Sequence, residues 1–124
     1  MARLLSIHEF DLRPGVSQED FERYYAEEIA PLPNYPGWKT SLMKIDRGER
    51  QGRYALLIEV TDVAHRDRYY PSVNAASEEA QEFDRQHFSD PTSGWGRWES
   101  FATTSPGVST VHTDYVVLTE GEPA

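Results

Sequence analysis

The sequence predicts an α+β domain: an antiparallel four-stranded sheet with its helices packed on one face. Segments with strand and helix patterns follow one another as strand, helix, strand, strand, helix, strand, and this order folds into such a sheet. The third strand, Arg53 to Thr61, is almost wholly apolar, which is typical of a strand covered on both faces. A short extra helix is predicted before the last strand.

The boundaries in the first half follow from periodicity and capping residues. Leu4 to Asp11 is predicted as a strand whose alternate residues divide between two faces, and Pro14-Gly15 ends it. Ser17 then caps a helix that ends at Ala30, because the prolines that follow cannot continue it. Trp38 to Arg47 is the second strand, joined to the third by a polar turn bounded by glycines.

The second helical region begins at Asp62, a capping residue directly after the third strand. Pro71 breaks or kinks this helix. Either Ser72 or Ser77 restarts it, and it then continues to Phe88.

The segment from Thr92 to Ala102 is ambiguous between helix and strand, but its aromatic residues recur every three positions, which favours a short helix. Pro106-Gly107 marks a turn. Thr110 to Leu118 is predicted as the last strand. No repeat or linker divides the chain, so residues 1–119 are predicted to form one domain and residues 120–124 a loose tail.

Composition excludes several classes of function. The formal net charge of −9 argues against a nucleic-acid partner, because binding phosphate requires clustered lysine and arginine. No apolar segment approaches the roughly 20 residues of a membrane span, and the start of the chain lacks the pattern of a signal peptide. The sequence has no cysteine, so disulfides and thiolate chemistry are excluded. These features predict a cytoplasmic protein.

The predicted sheet has one face without helices. Because the third strand is apolar on both faces, that second face also requires cover. Two copies that close face to face would bury it, and the sequence therefore predicts a homodimer.

The stretch from the Ser17 helix through Pro31 and Pro36-Gly37-Trp38 to Tyr54–Asp62 resembles the dimeric α/β-barrel superfamily, whose protomers are ferredoxin-like. It is similar to that superfamily's helix, proline-glycine entry, hairpin and acidic cap. The resemblance implies the fold and the dimer rather than an activity, since members include cofactor-free quinol monooxygenases, polyketide cyclases, muconolactone isomerases and haem enzymes of the chlorite dismutase type. The Thr92–Thr104 insertion departs from the pattern and is expected either to wall a pocket or to reinforce the dimer.

The first strand of such a sheet is central, beside the third and last strands. His8 and Ser6 therefore have two sets of possible neighbours, depending on register: His112 with Asp114, or Glu59. A histidine held by a carboxylate is the ordinary arrangement for a general base. We take His8 as the candidate catalytic base and either Asp114 or Glu59 as the carboxylate that orients it. The alternative is that His8 is a satisfied polar residue at a sheet edge or barrel seam.

The surplus of aromatic residues suggests a pocket for a flat, apolar, oxygenated small molecule. Adjacent tyrosines on a helix point about 100° apart, so only one of each pair is expected to face the core squarely. The resemblance implies a cavity between sheet and helices, where tyrosine hydroxyls would donate to a substrate oxygen. The alternative is that these residues belong to the core and the dimer interface. The candidate substrate-binding residues are Tyr25, Trp38, Tyr69, Tyr70, His87 and Trp95.

Haem is a further alternative, because haem-binding relatives take an axial ligand from the second helix, where His65 and His87 lie. No local motif supports this carry-over, and both are better explained as surface histidines. No histidine pair has the spacing of metal ligands, so no metal site is predicted.

The resulting hypothesis is a small cofactor-independent enzyme of monooxygenase, cyclase or isomerase type, acting on an aromatic or polyketide-like molecule. A non-catalytic ligand-binding or stress-related dimer, with structural histidines, is the alternative from another class. The two differ in whether a buried histidine–carboxylate pair opens into a cavity.

Overall fold

The computed structural model describes residues 2–103 and 111–123. Within them, the chain forms a mixed α+β unit with a four-stranded, fully antiparallel sheet in the order β2-β3-β1-β4, which is compatible with a ferredoxin-like fold. The strands are β1 (Leu4–Phe10), β2 (Trp38–Lys44), β3 (Tyr54–Val60) and β4 (Val111–Val116). The helices are α1 (Gln18–Tyr24), a π-helical turn (Tyr25–Ile29), α2 (Val63–Tyr69), α3 (Glu78–His87) and a 3₁₀ helix (Gly94–Ser100).

The predicted helix starts are confirmed at two positions. Ser17 accepts a hydrogen bond from the backbone N–H of Asp20, and Asp62 accepts one from the N–H of His65. Each side chain satisfies a donor that the first turn of a helix leaves unpaired. Of the two predicted restart points in the second helical region, Ser77 caps α3, whereas Ser72 lies in the preceding loop.

Several boundaries differ from the sequence prediction. The first helical region is α-helical only as far as Tyr24, and a wider π turn follows because the N–H of Ala30 bonds the carbonyl of Tyr25 five residues earlier. Strand β2 ends at Lys44 rather than Arg47, since the next residues enter the hairpin turn. The 94–100 segment is a 3₁₀ helix, which confirms the short extra helix. The predicted Pro106-Gly107 turn and Thr110 lie outside the described residues.

The two sheet faces have the division predicted from β1. Its even-numbered residues point toward the helices and are buried, whereas Leu5, Ile7 and Glu9 point to the opposite face and are half-buried. The main core lies on the helix side and is aromatic, with Phe21 within 5.7 Å, centroid to centroid, of both Phe10 and Trp98. The burial of apolar area at this face is the main force that holds helices to sheet.

The 3₁₀ helix packs closely against the preceding loop at Gly96. A Cβ built on Gly96 would overlap the carbonyl oxygen of Asp90 and lie 2.7 Å from Cα of Pro91, and both of these are backbone atoms. We expect Gly96→Ala to lower the free energy of unfolding by about 2–3 kcal/mol in chemical denaturation, because backbone cannot yield as a flexible side chain does. Gly121→Ala, where a Cβ meets nothing within 4 Å, is the control. Equal stabilities of the two variants would contradict this packing.

Candidate active site

A cavity of about 710 Å³ lies between the helix face of the sheet and the helices. All four strands contribute to its floor, for example His112 from β4, Ser6 from β1, Ile58 from β3 and Thr40 from β2. Its size falls within the range of small-molecule sites, and most of its wall is apolar or aromatic. The few polar side chains in this wall are therefore the candidates for specific contacts with a ligand.

Four polar side chains from β1 and β4 meet in this wall. The Oγ atom of Ser6 lies 2.7 Å from Nε2 of His8, 3.1 Å from Nε2 of His112 and 2.5 Å from Oδ1 of Asp114. Nε2 of His112 also lies 2.8 Å from the same Asp114 oxygen. We call Ser6, His8, His112 and Asp114 the β1–β4 cluster.

The register of the central strands creates this cluster. In the antiparallel β1–β4 pair, His8 lies opposite His112 and Ser6 lies opposite Asp114. Directly opposed residues on one face are the closest neighbours in a sheet, and the two imidazole rings stack with centroids 4.1 Å apart. Alternation along each strand therefore sends all four side chains to the helix side.

The number of protons on these side chains determines the direction of each hydrogen bond in the cluster. Ser6 has a single hydroxyl proton, which it donates to Asp114, so its oxygen accepts from the histidine beside it. His8 then presents Nε2–H to Ser6, and the lone pair of its neutral ring is on Nδ1. The oxygen of Ser6 contacts all three other members of the cluster, so Ser6 holds them in position relative to one another.

Burial governs the charge state of His8. The residue is 8% exposed, and this burial, followed by repulsion from His112, lowers its pKa to about 4, although Asp114 acts in the opposite direction. His8 is therefore neutral at pH 7, which is the form that a general base requires, and the lowered pKa also makes it a weaker base than free imidazole.

Asp114 retains its negative charge despite partial burial. Burial by itself would raise its pKa, but hydrogen bonds from Ser6 and His112 and the positive charge of Arg66 outweigh it, and the pKa is lowered. Arg66 projects from α2, with Nη1 3.5 Å from Oδ2 of Asp114. Arg66 also lines the cavity, so a cation lies beside the carboxylate of the cluster.

The structure brings together His8 and Asp114 but not His8 and Glu59. Glu59 lies opposite Leu5 in the β1–β3 pair and so points to the sheet face without helices. There it forms a 3.0 Å ion pair with Arg3. Of the two carboxylates that the sequence offered, Asp114 is the one on the cavity side.

Four of the six predicted substrate-binding residues line the cavity: Tyr25, Trp38, Tyr70 and Trp95. The other two lie elsewhere. Tyr69 is buried behind the wall and stacks on Tyr35 at 4.5 Å, while His87 is exposed at the end of α3 against Phe83.

The expectation that only one tyrosine of an adjacent pair faces the core was wrong for Tyr24 and Tyr25. Both are buried in the same core cluster, Tyr24 as the last residue of α1 and Tyr25 as the first residue of the π turn. Tyr24 stacks on Phe101 at 4.2 Å, whereas Tyr25 lines the cavity, and its burial raises the pKa of its phenol to about 12.

Sequence reasoning did not identify Tyr35 or Asp84, although both line the cavity. Tyr35 lies between two prolines in what reads as a connecting loop, and Asp84 belongs to a helix rich in acidic residues. Helical spacing contains a signal for Asp84. It is four residues after the buried Ala80 and four before Phe88, which also lines the cavity, so it is on the inward side of α3.

Across residues 2–103 and 111–123, no group of three or more histidine, cysteine or acidic side chains is arranged to hold a metal ion. His65 is held by Asp62, with Nδ1 2.8 Å from Oδ1.

No helix within residues 2–103 and 111–123 is long and apolar enough to cross a membrane.

Comparison with known protein families, curated proteins and solved structures found no match.

Proposed function

We propose that this protein is a small cytoplasmic enzyme that performs acid–base chemistry on an aromatic or polyketide-like molecule without a cofactor. The observation that carries the proposal is the β1–β4 cluster, a buried neutral histidine and a charged carboxylate linked by Ser6 in the wall of an aromatic cavity. A buried titratable group with a strongly shifted pKa and a specific charged neighbour is typical of catalytic sites.

In the proposed first step, the imidazole of His8 takes a proton from a phenol or from a carbon beside a carbonyl. The bonding electron pair stays on the substrate as a phenolate or enolate, and the guanidinium of Arg66 stabilises the new negative charge. The imidazolium that forms is stabilised by the carboxylate of Asp114, which acts through the hydroxyl of Ser6.

The fate of this anion defines the reaction type. Return of the proton to another carbon is an isomerisation. Attack on a second carbonyl of the same molecule, whose oxygen then takes the proton back from His8, is a cyclisation. Reaction of a CH2 carbon with dioxygen is a monooxygenation: one oxygen atom becomes a carbonyl on that carbon, and the other leaves as water with the two hydrogens. In each case the chain has to supply the base, the cationic group and a cavity that limits access of water.

The dimeric α/β barrel is part of the proposal. The sheet face without helices has a half-buried apolar centre formed by Leu5, Ile7 and Leu57, and next to it Tyr115 is 51% exposed. Glu9 and Glu59 lie toward opposite ends of this face and are paired with Arg50 and Arg3. An apolar centre with neutralised acidic margins suits a second copy of the same face.

Turnover of model substrates tests the proposed chemistry. A hydroxylated anthrone and a naphthohydroquinone would be followed by absorbance and by an oxygen electrode. We expect wild-type protein to accelerate consumption of at least one, and His8→Gln to reduce kcat by about 100-fold or more, since a general base contributes at least this much. His87→Gln, an exposed histidine on α3, is the matched control. Binding of these compounds without turnover would instead favour the non-catalytic dimer.

A further inference from the structure

The cavity contains a second polar group, separate from the β1–β4 cluster. The hydroxyl of Tyr35 donates to Oδ1 of Asp84 over 2.7 Å, and Tyr70 lies beside them with its ring centroid 6.3 Å from that of Tyr35. All three line the cavity. We call Tyr35, Tyr70 and Asp84 the α3 cluster.

The two clusters lie at opposite sides of the cavity floor. Tyr35 and Tyr70 pack on Trp38, with centroids at 5.2 and 6.0 Å, and Trp38 belongs to the edge strand β2. The β1–β4 cluster is on the central strand β1 and the other edge strand. Adjacent strands are about 4.8 Å apart, so roughly 10 Å separates β1 from β2 and roughly 14 Å separates the two edges.

Helix α2 and Tyr70, the residue that caps its C-terminus, lie beside both clusters. Arg66 reaches Asp114 on the β4 side, while Tyr70, one turn further along the chain, lies on the β2 side. One short helix and its C-cap residue thus contact both clusters.

The floor between the two clusters is apolar. Leu4 from β1 and Ile58 and Val60 from β3 line the cavity there. Ile58 is only half-buried although it is on the helix side of the sheet, which leaves apolar surface open to the cavity. A ligand that matches this floor therefore has a polar group at each end and an apolar body between them.

We infer that the ligand is an elongated, flat, fused-ring molecule, about 10 Å long, with an oxygen function at one end and a hydroxyl group at the other. The first end meets the β1–β4 cluster, where the proposed chemistry takes place. The hydroxyl at the far end donates to the carboxylate of Asp84 and meets the hydroxyl of Tyr70. Asp84 and Tyr70 are then specificity-determining residues. This inference rests on the proposed function for the role of the first end only.

The environment of Asp84 supports this assignment. Burial raises its pKa, although the hydrogen bond from Tyr35 opposes the rise. A carboxylate that has lost part of its water shell gains from a ligand hydroxyl, and a ligand without that hydroxyl leaves the carboxylate without this compensation. The site is therefore expected to reject the deoxy analogue.

A pair of quinones with three fused rings tests the inference. Anthraflavic acid has a hydroxyl at each end of its long axis, and anthraquinone has the same rings without hydroxyls. Binding is measured by quenching of tryptophan fluorescence, because Trp38, Trp95 and Trp98 line the cavity. We expect wild-type protein to bind anthraflavic acid at least tenfold more tightly than anthraquinone.

Asp84→Asn and Tyr70→Phe are expected to weaken binding of anthraflavic acid by about 10-fold or more and to change binding of anthraquinone by less than threefold. Asp84→Asn retains an acceptor for Tyr35, and thermal unfolding verifies that it folds. Glu82→Gln makes the same carboxylate-to-amide change on the exposed side of α3 and is the matched control.

The inference is overturned if wild-type protein binds neither quinone, or if Asp84→Asn and Tyr70→Phe weaken binding of both equally. Failure of the proposed function alone would give a different set of results. In that case the hydroxyl-dependent loss at Asp84 persists, while no substrate is turned over and His8→Gln alters no rate.

Discussion

Replacing Leu57 by glutamate is expected to convert the proposed dimer into monomers. Leu57 lies at the centre of the sheet face without helices, opposite Ile7 in the β1–β3 pair. In a two-fold symmetric interface each substitution occurs twice, so two carboxylates would lose their water in one apolar patch. We expect the dissociation constant of the dimer to rise by at least about 1,000-fold, which corresponds to about 4 kcal/mol.

Sedimentation velocity at several protein concentrations measures this change. Val63→Glu is the matched control, because it places the same charge at a partly exposed position on the helix side. Leu57 is only half-buried in the protomer, so the Leu57→Glu monomer is expected to fold, which circular dichroism verifies. A wild-type protein that stays monomeric at tens of micromolar, or a Leu57→Glu variant that stays dimeric, would remove the barrel from the proposal.

The sequence predicted the fold class because its signals are local and redundant. Alternation in β1 assigned its two faces, and Ser17 and Asp62 marked helix starts that the structure confirms. Single-residue boundaries were less accurate. Residues 45–47 have no feature that forbids a strand, and only pairing across the hairpin determines where β2 stops.

The candidate site was predicted where it depends on strand alternation and missed where it depends on tertiary packing. His8, His112 and Asp114 share one face of neighbouring strands, so alternation was enough to group them once register was known. The choice between Asp114 and Glu59 required that register. Tyr35 and Asp84 are 49 residues apart and belong to a loop and a helix, so no periodicity connects them.

Protonation of His8 is expected to give the protein an unusual response to acid. The imidazole has an ordinary pKa of 6.5 in the unfolded chain, and burial followed by the neighbouring His112 lowers it to about 4 in the folded protein. Between these values the unfolded state binds more protons, so the free energy of unfolding falls as the pH falls from 6.5 to 4 and changes no further below it through this group. Allowing for partial solvent screening, we expect a loss of about 2 kcal/mol.

Denaturation of wild type and His8→Gln at pH 7 and pH 4.5 isolates this contribution. The variant cannot take up the proton, so its loss of stability over this range should be smaller by about 2 kcal/mol. His87→Gln, which removes an exposed histidine at the end of α3, is the matched control. A titration of His8 followed by NMR should have its midpoint near pH 4, and the acid limb of any activity should fall at the same pH. A midpoint near 6.5 would mean that the ring is open to water, and the case for His8 as a buried base would then fail.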